Sequence, residues 1–145
     1  MMSMSMSMST ANGFPISIPF VEDLGITLVS AESGRSVIRL ETELRHLNSW
    51  GVVHGGVVMT LLDVAMASAG RSLRTDLGTG GNVTIEMKTS FLRPARGRIE
   101  VHGVCLHATA TMAFCEAELF GNDQQVAAKS SGTFKFFRQL GAPSD

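Results

Sequence analysis

Two periodicities divide the chain. Up to about residue 44, and again after Gly81, apolar and polar side chains alternate at every second position, whereas the stretch between is apolar at helical spacing. In the first alternating region, residues 25–31 and 35–43 are separated by Glu32-Ser33-Gly34. Ile38, Leu40 and Leu44 fall on the opposite side from Val37, Arg39, Glu41 and Glu43, which predicts a hairpin. The second region holds four runs, 82–92, 97–107, 111–121 and 124–137, broken by Pro94-Ala95-Arg96-Gly97, Ala108-Thr109-Ala110 and Asn122-Asp123. Breakers that short join antiparallel neighbours. Ahead of the hairpin, residues 15–24 carry Pro19 at a first-turn position and are stopped by Gly25, which predicts a brief helix.

The long helix is expected over 55–74, ended by Asp76-Leu77-Gly78 and the Gly80-Gly81 pair. It is apolar around most of its circumference, so it must be wrapped, and the only wrapping material in the chain is an antiparallel sheet. No other helices alternate with the strands, which excludes a parallel sheet. The expected fold class is therefore α+β, a curved antiparallel sheet of five to six strands around one central helix. A membrane span over 52–70 is the competing reading. His54, Thr60, Asp63 and Ser68 interrupt that stretch, and an aspartate near its centre is costly in lipid.

Composition narrows the class further. The 145 residues suffice for one domain, expected over 14–138, between a Met/Ser-rich tail at 1–13 and a second tail at 139–145, both read as disordered. The Met/Ser alternation has none of the regions of a secretory leader. Only 17% of residues are charged and 44% are hydrophobic, so apolar surface is expected to be buried against a second copy. With a net charge of -1 and a pI near 6.4, nothing draws in a nucleic acid or an anionic membrane. Cys105 and Cys115 have neither a C-x-x-C pattern nor a histidine at zinc spacing, so they read as free buried thiols of a reducing cytoplasm.

The informative segment is Asn48-Ser49-Trp50-Gly51-Val52-Val53-His54-Gly55-Gly56, which runs into the helix that holds Asp63. Adjacent glycines at a helix start expose N–H groups of partial positive charge, where an oxygen turning negative during attack is stabilised. They equally suit a close crossing of a strand over the helix end. Asp63 lies mid-helix, where aspartate neither caps nor favours the helix, and a buried carboxylate costs several kcal/mol unless it is paired or performs a task. Gly56, Thr60, Asp63, Ala67, Arg71 and Arg74 form a small and polar stripe, so an ion pair with Arg71 or Arg74 is the structural alternative. Gly55 and Asp63 are eight residues apart, about 12 Å of helix rise, too far to meet at one carbonyl carbon. Antiparallel helices across a two-fold axis bring Gly55 of one subunit against Asp63 of the other.

Asn48 six residues before the histidine, His54-Gly55-Gly56, Asp63 nine residues after it, and Ser90-Phe91-Leu92-Arg93-Pro94 resemble the hotdog-fold acyl-CoA thioesterases of the phenylacetate-degradation (PaaI-like) type, over roughly 14–137. The resemblance implies the hotdog fold and hydrolysis of aryl- or medium-chain acyl-CoA thioesters in the cytoplasm, with no metal or redox cofactor. It also implies a homodimer, or a dimer of dimers, with acyl-CoA as the small-molecule partner. On this pattern the Gly55 N–H polarises the thioester carbonyl and Asn48 orients that carbonyl or the water. Asp63 of the neighbouring subunit acts as base or nucleophile, Thr84 helps to hold the water, and His54 braces the loop on the sulfur side. Arg93 and Arg96, with Arg71 and Arg74 behind them, become candidates for the coenzyme A phosphates.

The expected acyl-pocket lining is Phe14, Phe20, Leu24, Trp50, Val57 and Leu61. Two departures narrow the resemblance: the chain has no tyrosine, and residues 48–54 lack the Asp-x-Asn-Pro-x-His run of the fold's enoyl-CoA hydratases. The rival readings are enoyl-CoA hydration or dehydration and a non-catalytic acyl-CoA binding module. The second of these needs no carboxylate at position 63.

Overall fold

A computed structural model describes residues 10–138. In chain order these form α1 (Pro19–Leu24), β1 (Thr27–Glu32), β2 (Arg35–Glu41), a single 3-10 turn (Leu44–His46), α2 (Gly55–Arg71), β3 (Gly81–Phe91), β4 (Arg98–Ala108), β5 (Met112–Phe120) and β6 (Val126–Phe137). The strands make one antiparallel sheet in the order β1-β2-β4-β5-β6-β3. Helix α2 touches all six of them, which is the hotdog arrangement. Among the described residues no helix is long and apolar enough to cross a membrane.

The alternation in the sequence becomes the two faces of this sheet. Ile38 and Leu40, Ile99 and Val101, Leu119, and Phe134 point inward onto Leu61, Leu62, Ala65 and Met66 of α2. Three of the four inward positions on β5, Ala113, Cys115 and Ala117, are small, which leaves room for the helix. Contact is closest at Gly103, where a Cβ would fall 2.4 Å from the Ala65 carbonyl oxygen. Beside it the Ser36 hydroxyl donates to that same oxygen at 2.6 Å, so the helix is pinned to β2 as well as packed on it.

The element boundaries follow local chemistry. The β1–β2 hairpin turns through Ser33 and Gly34, both left-handed at φ 53° and 79°, the two-residue turn whose twist matches antiparallel strands. Helix α2 stops at Arg71 rather than at Arg74, because Ser72 is fixed from outside. Its hydroxyl accepts the Gly34 N–H at 2.8 Å and donates to the Ala69 carbonyl at 2.7 Å. The hairpin turn thus ends the helix. Residues 10–13 of the expected N-terminal tail form a turn held to β1 by a Leu28 N–H to Asn12 carbonyl bond of 2.9 Å. The remainder of the expected tails, 1–9 and 139–145, lies outside the described residues.

A candidate active site in two halves

The first half is built at the start of α2. The loop before it is closed by a bridge between Leu47 and Val53, and the Asn48 side-chain oxygen accepts the N–H groups of Trp50 at 2.9 Å and Val52 at 3.3 Å. The expected carbonyl-orienting oxygen of Asn48 is therefore engaged in bracing its own loop, and its amide N–H groups have no acceptor among the described residues. His54 is the helix cap: its ring Nδ1 accepts the Gly56 N–H at 2.8 Å. An imidazole nitrogen that accepts carries no proton, so the proton of neutral His54 is on Nε2. That leaves the Gly55 N–H as the one without an acceptor among the described residues, at the positive end of a 17-residue helix. The Phe91 ring flanks it, 3.6 Å from where a Cβ on Gly55 would lie.

The second half lies two turns further on. The half-buried Asp63 receives a hydrogen bond from the Thr84 hydroxyl to its Oδ1 at 2.6 Å. A bulge in β3 between Thr84 and Glu86 sets the register so that Thr84 pairs with the inward Phe134, on the helix side. Neither candidate ion-pair partner is present at Asp63. Arg71 donates from Nε and Nη2 to the Gly80 carbonyl, and Arg74 grips Asp76. Desolvation raises the Asp63 carboxyl above its ordinary range, and the Thr84 bond opposes that rise. Among the described residues no cation pairs with this carboxylate.

Asp63 opens into a cavity of about 470 Å³ between α2, β1 and the segment ahead of α1. Of the expected pocket residues only Phe14 lines it. Trp50 is 83% exposed and Phe20 61% exposed, while Leu61 is fully buried in the core. The helix phase explains the difference. Asp63, Val64, Ala67, Ser68 and Arg71 face the cavity, and Leu61 lies about 200° around the helix from Asp63, against the sheet. Arg93 and Arg96 are exposed beside the other half, because the Val53 N–H donates to the Ala95 carbonyl at 3.0 Å.

Thus Asn48, His54 and Gly55 come together, with Arg93 and Arg96 brought beside them by the bond from the Val53 N–H to the Ala95 carbonyl, and Asp63 comes together with Thr84. One chain does not unite the two groups. Sequence reasoning missed His46, fully buried, whose Nδ1 accepts the Glu43 N–H at 2.9 Å and whose Nε2 bonds the Leu24 carbonyl at 2.8 Å. It ties the 3-10 turn to the end of α1. No periodicity marks such a residue.

Comparison with known proteins gives four findings. The family model described as the thioesterase superfamily matches residues 51–128, more than half of the chain. The human protein named acyl-coenzyme A thioesterase 13 is 33% identical over 96 residues, 65% of this chain and 66% of that one. Among solved structures, a conserved protein from Pseudomonas aeruginosa is 32% identical and superimposes with a TM-score of 0.76 over 83% of this chain and 95% of its own. The PaaI protein of the phenylacetic acid degradation operon from E. coli, 23% identical with a TM-score of 0.75 over 83% and 86%, shares the fold.

Proposed function

The chain belongs to the thioesterase superfamily, and on that premise we propose that this thioester hydrolase acts on aryl- or medium-chain acyl-CoA through a site shared by two protomers. The observation that carries the reading is Asp63: a partly desolvated carboxylate, bonded by the Thr84 hydroxyl and by no cation among the described residues, lining a largely apolar cavity. A raised pKa makes it a better proton acceptor than an ordinary carboxylate, which suits a general base. Asp63 takes a proton from water as the water oxygen bonds to the thioester carbon. The carbonyl oxygen becomes negative against the Gly55 N–H. The carbon–sulfur bond then breaks, and the proton passes to the departing coenzyme A thiolate, leaving free acid and thiol. Arg93 and Arg96, exposed near the Gly55 end, are placed to meet the phosphates of the nucleotide.

Two features support sharing: the two halves are separated by about 12 Å of helix rise, and the sheet has open edges. Strand β3 is an edge of 11 residues with Val83 and Ile85 exposed, and a long unpaired apolar edge favours pairing with another strand. Two β3 edges paired antiparallel about a two-fold axis carry the two α2 helices alongside each other in opposite directions. Gly55 of one protomer then approaches Asp63 of its partner. The test is thiol release from a panel of aryl and straight-chain acyl-CoA esters, run beside Asp63→Asn. Turnover that survives this substitution removes Asp63 from the chemistry.

A further inference from the structure

The hydrolytic reading leaves Arg71 without a task. It lies eight residues beyond Asp63 on the same side of α2, and both line the 470 Å³ cavity, with Val64, Ala67 and Ser68 between them. The guanidinium is oriented but not neutralised. Its Nε and Nη2 donate to the Gly80 carbonyl oxygen at 3.2 and 2.9 Å, and among the described residues no carboxylate pairs with it. The carbonyl that holds it is itself fixed, since at Gly80 a Cβ would sit 2.0 Å from the Arg138 carbonyl oxygen. Among the described residues neither Nη1 nor the hydroxyl of Ser68, on the same wall, has a partner. Phe14, Ile16, Ile18 and Leu28 make the opposite wall apolar. The cavity is therefore lined by a carboxylate and, about 12 Å further along the helix, by a cation with no counter-charge among the described residues, with an apolar wall facing both.

We propose, resting on the thioesterase reading, that Arg71 is a specificity-determining residue. It selects acyl groups that carry a carboxylate at the end remote from the thioester, the mono-CoA esters of medium-length dicarboxylic acids. The length follows from the helix. Eight residues rise about 12 Å, and a saturated chain with carbon–carbon bonds of about 1.5 Å advances about 1.25 Å per bond. About eight to ten bonds span the distance. A methyl-ended chain of equal length fills the same apolar wall but covers Arg71 without satisfying it, whereas a terminal carboxylate gains a charge-assisted hydrogen bond. The difference in kcat/KM is about ten- to a hundredfold.

The experiment measures thiol release by the full chain from octanoyl- and decanoyl-CoA and from the mono-CoA esters of octanedioic and decanedioic acids. Arg71→Met and Arg71→Lys are run alongside. The native protein is expected to prefer the carboxylate-ended esters about tenfold or more. Arg71→Met is expected to lose that preference, its kcat/KM falling about tenfold more for the carboxylate-ended esters than for decanoyl-CoA, and Arg71→Lys to keep part of the preference. Equal or better kcat/KM for methyl-ended esters in the native protein overturns the proposal. So does a uniform loss across all four esters in Arg71→Met, which marks Arg71 as a brace for the Gly80 loop and nothing more. Thiol release without the preference leaves the thioesterase reading standing, whereas no thiol release from any ester in this set or in the aryl panel removes that reading and this proposal together.

Discussion

Asp63 and Asp76 are thirteen residues apart and are held in opposite ways. Asp76, in the loop after α2, accepts two parallel hydrogen bonds from Arg74, Nε to Oδ1 at 2.8 Å and Nη2 to Oδ2 at 2.9 Å. Arg138 approaches it at 3.4 Å. Chiefly through the Arg74 bond, its carboxyl is pushed down to about 2. Among the described residues Asp63 meets only the Thr84 hydroxyl, and desolvation pushes it up. A carboxylate satisfied by a guanidinium has nothing left to offer a substrate. One partly desolvated, with a single neutral donor among the described residues, retains both its affinity for a proton and a free oxygen.

The largest contrast between the two sites is expected from parallel neutral substitutions. Asp63→Asn should lower turnover by more than about a hundredfold, because the base is removed, while Asp76→Asn should leave turnover unchanged. Stability should move the other way. A folded-state pKa above the unfolded value means that ionised Asp63 costs stability at neutral pH, and that this cost disappears as pH falls below the unfolded value. Asp63→Asn should therefore melt no lower than the native protein at pH 7, with the two converging in acid. Thermal melts beside thiol-release rates decide both points, and a variant that unfolds would assign Asp63 to the structure.

Thr84→Val sharpens the contrast at the partner. Losing a bond that lowers the Asp63 pKa lets it rise further, so the acidic limb of the rate profile should move to higher pH. Turnover at its plateau should fall about tenfold as the water loses a partner. Thr84→Ser should restore both, and an unmoved limb would show that Thr84 does not act through Asp63. A smaller effect is expected at His54, where His54→Ala removes a helix cap and about 1 kcal/mol of stability, and His54→Asn retains most of it. The smallest concerns Asp76 alone. Its depressed pKa contributes stability above the unfolded value that fades as pH falls toward 2. The slight melting difference between the native protein and Asp76→Asn should vanish over that range.

Much of the fold was legible in the sequence because burial on one face imposes a period. The alternation of Ile38 and Leu40, and of Ile99 and Val101, marks the inward face, and the glycines of the turns mark where strands end. The chemistry at Asp63 was legible for a different reason, since a carboxylate in an apolar helix is anomalous. What escaped depended on contacts between distant segments. The end of α2 is set by Gly34 meeting Ser72, and the His46 bridge by a turn meeting α1. The cavity wall depends on which side of α2 meets the segment ahead of α1. A pattern tells that Leu61 and Val64 are apolar but not which of them faces a void.

The claim on which the rest depends is that the oxyanion donor and the base come from different protomers. It is tested by mixing Gly55→Pro with Asp63→Asn. Proline suits position 55: it is the first residue of the helix, its N–H has no acceptor among the described residues, and His54 before it is already extended at φ -60° and ψ 138°. Each variant alone should assemble and be inactive. After the two are unfolded and refolded together in equal amounts, random pairing makes half of the dimers mixed, each with one intact site, so about a quarter of native activity should return. No recovery from a mixture shown to contain mixed dimers would place both halves of the site within one chain.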